Sequence, residues 1–161
     1  MQLGDLYFRG EVVPQDLKKA RLWYNTALLK GNPPAALMLG DFAYHGYDCE
    51  VNYAEAARYY IEAAPRFIDA FYRLGDMYLH GEYFPADPAF ARELYDYVMT
   101  TEEKFYQKNG FYSDAHGQVS QRLDEMERNQ EKYSADDGQE TAEQLEIRRQ
   151  LQEIMASKKG K

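Results

Sequence analysis

Cysteine is almost missing from this chain: Cys49 stands alone among 161 residues, so no intrachain disulfide can form. Long apolar runs are missing as well, and no stretch approaches the ~20 residues of a membrane-spanning helix. No basic-then-apolar leader opens the sequence. A Gly-rich phosphate loop followed by Lys and Ser or Thr is absent, and so is any paired-cysteine motif. No catalytic residue, metal site or cofactor is therefore expected, and the chain is not read as an enzyme, with a metal-dependent enzyme as the last alternative. Basic residues are in short supply, with 19 Lys+Arg against 27 Asp+Glu and a formal net charge of −8. That balance argues against a nucleic-acid partner, which wants clustered Lys and Arg. The deficit sits mainly in residues 1–102, which hold 9 Lys+Arg and 15 Asp+Glu. A basic or mixed-charge protein partner follows naturally, with acidity for solubility alone as the alternative.

What the chain does have is one phrase written three times. Leu3-Gly4-Asp5-Leu6-Tyr7-Phe8-Arg9-Gly10 returns as Leu39-Gly40-Asp41-Phe42-Ala43-Tyr44-His45-Gly46 and again as Leu74-Gly75-Asp76-Met77-Tyr78-Leu79-His80-Gly81, at intervals of 36 and 35 residues. Self-similarity at such a period marks a solenoid. A second phrase keeps the same intervals: Ala20-x-x-Trp23-Tyr24-x-x-Ala27, Ala56-x-x-Tyr59-Tyr60-x-x-Ala63 and Ala91-x-x-Leu94-Tyr95-x-x-Val98. Spacings of three and four place these residues on one helical face. Asp16, Asn52 and Asp87 precede the three runs, where a side-chain oxygen can accept from the free N–H groups of a helix start. Each unit thus reads as helix, Gly-bounded loop, helix. Gly4, Gly40 and Gly75 lie inside the first helices, where Gly costs ~1 kcal/mol against Ala, so their common phase implies close helix–helix approach.

The run Ala35-x-x-x-Leu39-Gly40-x-x-x-Tyr44-x-Gly46, followed by the amide or acid and the Ala-x-x-aromatic-Tyr-x-x-Ala segment, resembles the Sel-one-like repeat (SLR) family. That family is a branch of the tetratricopeptide-type α-solenoids, and the resemblance covers about residues 1 to 100. It departs at Ala43, which replaces the Tyr of the other units, and at Val98, which replaces Ala. The resemblance implies an all-α, right-handed superhelix that works as a non-catalytic binding scaffold or adaptor, often in signalling, envelope or secretion assemblies. By analogy with tetratricopeptide grooves, the first helices would line the concave side. The groove would then present Asp5, Phe8 and Arg9 from the first unit, Leu37, Asp41, Tyr44 and His45 from the second, and Tyr72, Asp76, Leu79 and His80 from the third. Interleaved carboxylates and aromatics suit a peptide or helix carrying Lys or Arg with apolar anchors. Self-association through the groove or the tail is the alternative use.

Asp41 with His45 and Asp76 with His80 each stand one helical turn apart. First helices of adjacent units pack ~9–10 Å apart, so four such ligands would not converge on a metal ion ~2 Å away. The domain reading is three repeats over 1–102, with the first truncated at its start, an extended loop and degenerate fourth-repeat or capping helix over 103–133, and a breaker, amphipathic helix and disordered basic end over 134–161. Ala115-x-x-x-Val119-Ser120 echoes Ala70-x-x-x-Leu74-Gly75, and Val119, Leu123 and Met126 make a narrow apolar stripe amid charge, as a cap requires. Thr141 and Gln144 read as a capping box ahead of Ile147, Leu151 and Ile154. That last helix would dock, pair as a short coiled coil or fray, and its loss is expected to matter less than loss of the cap. The single cysteine and the missing leader favour the cytoplasm. A fragment truncated at its start would leave the periplasm or secretion open.

Overall fold

The computed structural model describes residues 2–159, and among these all regular structure is helical. Two compact units divide the chain at Met1–Arg66 and Phe67–Lys161. The first holds α1 (Gln2–Arg9), α2 (Leu17–Leu29), α3 (Pro34–His45) and α4 (Tyr53–Ala63), which are repeats one and two. The second holds α5 (Asp69–His80) and α6 (Pro88–Asn109), which are repeat three, followed by α7 (Asp114–Arg128), a short 3-10 turn (Gln130–Lys132) and α8 (Ala142–Lys159).

The punctuation read from the sequence sets these bounds. Asp16, Asn52 and Asp87 are N-caps in extended or near-extended backbone, and their side chains accept from the N–H groups of Lys19 (2.9 Å), Glu55 (3.0 Å) and Phe90 (3.0 Å). The same three residues tie their own backbone N–H to the preceding helix, at Tyr7 O, Ala43 O and Tyr78 O, 2.8–2.9 Å away. Because that tie uses backbone only, the loop keeps its register although Ala43 has lost the tyrosine of its counterparts. Gly46 and Gly81 close α3 and α5 with φ of +72° and +68°, a region in which a Cβ is strained.

Packing follows the repeated phrases. In the first unit Ala20, Tyr24, Leu39 and Phe42 form a buried cluster, with Phe8 and Tyr47 against it. In the second, Leu74, Met77, Tyr78, Leu94, Tyr95 and Val98 are fully buried.

The tail departs from the expected plan at residues 103–109 and at the end of α8, and it keeps the expected docking of the terminal helix. Residues 103–109 are not an extended loop but two further turns of α6, since nothing before Gly110 (φ +78°) breaks the helix. Buried Glu102 near the end of that core accepts from both the N–H and the hydroxyl of Ser113, 2.8 Å each, and so aims α7 back along the repeat. The terminal helix docks, burying Ile147, Leu151 and Met155, with Ile154 at the half-buried edge. Its start is the expected capping box: Thr141 N–H donates to Gln144 Oε1 (2.8 Å) and Gln144 N–H to Thr141 Oγ1 (3.3 Å). Helix α8 continues through Lys158 and Lys159, which the sequence placed in the disordered end, and Gly160 and Lys161 lie outside the described residues.

Candidate functional site

The three aspartates of the repeated phrase are tied to tyrosine. Tyr24, Tyr60 and Tyr95 each lay a ring across the glycine of the partner helix and donate their hydroxyl to the next residue: Asp5 at 2.9 Å, Asp41 at 2.7 Å and Asp76 at 2.6 Å. A Cβ on Gly4 or Gly75 would stand 2.6 Å from the tyrosine Cε1, and Gly40 is as crowded against Tyr60. Leu-Gly-Asp is therefore one device. Glycine admits the ring, and aspartate satisfies the phenol that the ring brings into the core. The tyrosines thus wedge inside their own unit, and one expectation is corrected: the aspartates are structural acceptors as well as surface charge. A constant separation of 19 residues between Asp and Tyr in all three copies was the available signal.

These hydroxyls hold their protons tightly. Burial, reinforced by the hydrogen bond and charge of Asp5, pushes Tyr24 well above the ordinary value of 10.0. Burial with the charge of Asp76 does the same to Tyr95, and burial, helped by the charges of Glu140 and Asp87 against the opposing Arg148, lifts Tyr78. A phenol whose folded pKa exceeds its unfolded one contributes stability that is complete below the unfolded value and is lost as pH climbs beyond it. The melting temperature should hold through neutral pH and fall once pH passes about 10, with tyrosinate absorbance rising in step with unfolding. A melting temperature that stays flat to about pH 11 would contradict the latch.

In the third repeat the candidate groove position is already filled. Arg122 of α7 makes a two-pronged contact with Asp76, Nε to Oδ1 at 2.5 Å and Nη2 to Oδ2 at 2.7 Å, and its guanidinium sits 4.9 Å from the centre of the Tyr72 ring. Arg73 stacks on the same ring at 5.1 Å. Burial disfavours the Arg122 cation, but the hydrogen bonds and charge of Asp76 outweigh it and raise its pKa. With Tyr72 and Leu79 also buried, repeat three offers a ligand only His80, which lies 3.4 Å from Glu82. Nothing periodic marks Arg122, so the sequence reading could not place it.

The remaining candidates divide between core and surface. Phe8 packs on Phe42 and Tyr47 at 5.7 Å, and Leu37 is buried. Asp5, Asp41 and Tyr44 are half-buried, while Arg9 and His45 are exposed. Asp5, Arg9 and Asp41 all act on the Tyr24 hydroxyl, which brings the first-helix charges of repeats one and two to one place. His45 stacks on Tyr47 (5.1 Å) and meets Tyr44 edge-on (4.9 Å), forming an aromatic border at the end of α3. Among the described residues no three His, Cys, Asp or Glu side chains are grouped to hold a metal ion, and no helix is long and apolar enough to cross a membrane. Cys49 is half-buried, its thiol donates to Phe42 O (3.3 Å), and burial raises its pKa.

A Sel1 repeat family model matches residues 1–32, 33–64 and 68–96, the same three units that the phrases and helices mark. The chain belongs to the Sel1 repeat family. Repeats of this family act in protein–protein interaction and are generally non-catalytic. Among curated proteins it resembles protein sel-1 homolog 2 of Homo sapiens, 37% identical over 84 residues that make up 51% of this chain and 12% of that one. It also resembles HRD3B of Arabidopsis thaliana, an ERAD-associated E3 ubiquitin-protein ligase component, 35% identical over 50% of this chain and 13% of that protein. The match thus spans about an eighth of either relative's length. Two solved structures share the fold: a Sel1 repeat protein from Oxalobacter formigenes (TM-score 0.58, 23% identity, 74% of this chain and 53% of that one) and a protective antigen of uropathogenic Escherichia coli with an SLR fold (TM-score 0.59, 23% identity, 75% and 29%).

Proposed function

We propose that this Sel1 repeat chain is a protein-binding scaffold whose first-helix face in repeats one and two receives a peptide or helix bearing Arg or Lys beside apolar anchors. The observation that carries this reading is Arg122 on Asp76 and Tyr72, a worked example of the side chain that a phrase aspartate accepts. Asp41, Tyr44 and His45 on α3, with Asp5 and Arg9 on α1, supply carboxylates, an aromatic border and one cation that sets the orientation. A guanidinium pairs with a carboxylate already held by a phenol without reorganising it, and the aromatic border adds cation–π attraction.

The test replaces Asp5 and Asp41 with Asn, which keeps an oxygen for the Tyr24 and Tyr60 hydroxyls and removes only the charge. A labelled amphipathic peptide of Arg and Leu should bind the wild type in a salt-dependent manner. It should bind the double variant about tenfold more weakly with a flattened salt response, at unchanged helicity. Binding that ignores both the substitutions and the salt would remove the acidic-face reading.

A further inference from the structure

The outer faces of the three second helices differ in a way the repeat does not explain. On α6 that face is covered by α8. Arg148 stacks on Phe90 (4.2 Å) and Tyr78 (5.0 Å) and pairs with Asp87 (2.9 Å) and with Glu140, Gln144 donates to Tyr83 O (2.5 Å), and Met155 and Lys158 line a cleft with Glu93, Tyr97 and Thr100. On α4 and just past its end the residues at the phases of Phe90, Glu93 and Thr100 are Glu55, Arg58 and Pro65, all exposed. On α2 they are Lys19, Leu22 and Leu29. Leu22 is 60% exposed, Leu29 is 89% exposed, and Trp23 beside them is 39% exposed. The face that carries Leu22 and Leu29 where α6 carries Glu93 and Thr100 is the one left open.

Its charge has a sign. Helix α2 contains no carboxylate, and Lys18, Lys19 and Lys30 stand exposed at the two ends of the Leu22–Leu29 stripe, whereas the chain as a whole carries −8. The notch that Arg148 fills in repeat three is formed in repeat one by Tyr7 and Asp16. There the chain's own Lys19 fills it, 5.3 Å over the Tyr7 ring and 3.5 Å from Asp16. An incoming helix therefore need not bring an arginine; it must answer lysines.

We propose that the outer face of α2 is a docking site for an acidic amphipathic helix of a partner protein, seated as α8 is seated on α6. Leucines of that helix cover Leu22, Trp23 and Leu29, and its flanking carboxylates meet Lys18 and Lys30. A helix touches only this basic face, whereas an anionic membrane would also confront the remaining acidic surface. The site is separate from the first-helix face and has the opposite charge preference.

Trp23 is the only tryptophan, so the full chain reports its own occupancy. A helical peptide of about 18 residues with Leu on one face and Glu on the other is titrated against it, beside a Leu/Lys twin. The expected result is a blue shift of Trp23 emission with the acidic peptide, weakened by salt, and about tenfold weaker binding to the Leu22→Glu/Leu29→Glu variant at unchanged helicity. Should that variant unfold, Lys18→Glu with Lys30→Glu must abolish the preference for the acidic peptide over the basic twin. Equal binding of both peptides overturns the proposal, as does the absence of any shift. Phosphatidylserine vesicles that shift Trp23 where the peptide does not would assign the face to a membrane. A dimer dissolved by Leu22→Glu/Leu29→Glu would assign it to a second copy.

Discussion

Removing residues 135–161 is expected to cost the protein several kcal/mol and to make it aggregate. The deletion strips Ile147, Leu151 and Met155 from the repeat, at roughly 1.5–3 kcal/mol for each buried side chain, and uncovers Phe90 and Tyr97 beside them. It also takes Arg148 from Asp87 and Tyr78 and the Gln144 donor from Tyr83 O. Against a total of about 5–15 kcal/mol for a domain, that is a large fraction. The structure thus raises the importance of α8 above what its short apolar seam suggested. Deleting 111–161 removes Arg122 as well and should be worse still. Thermal unfolding and light scattering of the two truncations measure this. If the chain ending at residue 134 melts with the full protein and stays monodisperse, α8 contributes no stability.

Gly40→Leu should lower stability by about 2–4 kcal/mol, because the new side chain must enter the space held by the Tyr60 ring. The ring cannot retreat without abandoning Asp41, so overpacking and an orphaned buried phenol arrive together. Tyr60→Ala in the same background should recover part of the loss by vacating that space, a coupling that a double-mutant cycle measures directly. An unchanged melting temperature in Gly40→Leu would leave the Leu-Gly-Asp device without a packing role.

Legibility in the sequence tracked periodicity. Helix pairs, N-caps at Asp16, Asn52 and Asp87, and left-handed glycines at 46 and 81 were readable because each occurs at a fixed phase and each has a local cause. The Asp–Tyr latch was half readable. Both residues were seen to recur, but period alone does not tell a conserved contact from a repeated surface, and Asp41 and Asp76 were assigned wholly to the groove. Residues 103–109 read as a loop because they lie outside the repeated phrases, yet with no breaker before Gly110 they extend α6. Arg122 and Arg148 were out of reach, since each acts once, across 46 and 61 residues of chain, on partners that only the fold brings near.

Those separations also order the way the molecule assembles. Each latch closes over 19 residues inside a single helix pair. Arg122 must close over 46 and Arg148 over 61. The chain entropy surrendered grows with the logarithm of loop length, so the longest closure costs about 1 kcal/mol more than a latch and depends on a repeat that already exists. Local hairpins are therefore the fast step and the arginine clasps the slow one. During synthesis the third repeat emerges with its aspartates and aromatic rings uncovered, and it acquires its covering only as α7 and then α8 leave the ribosome.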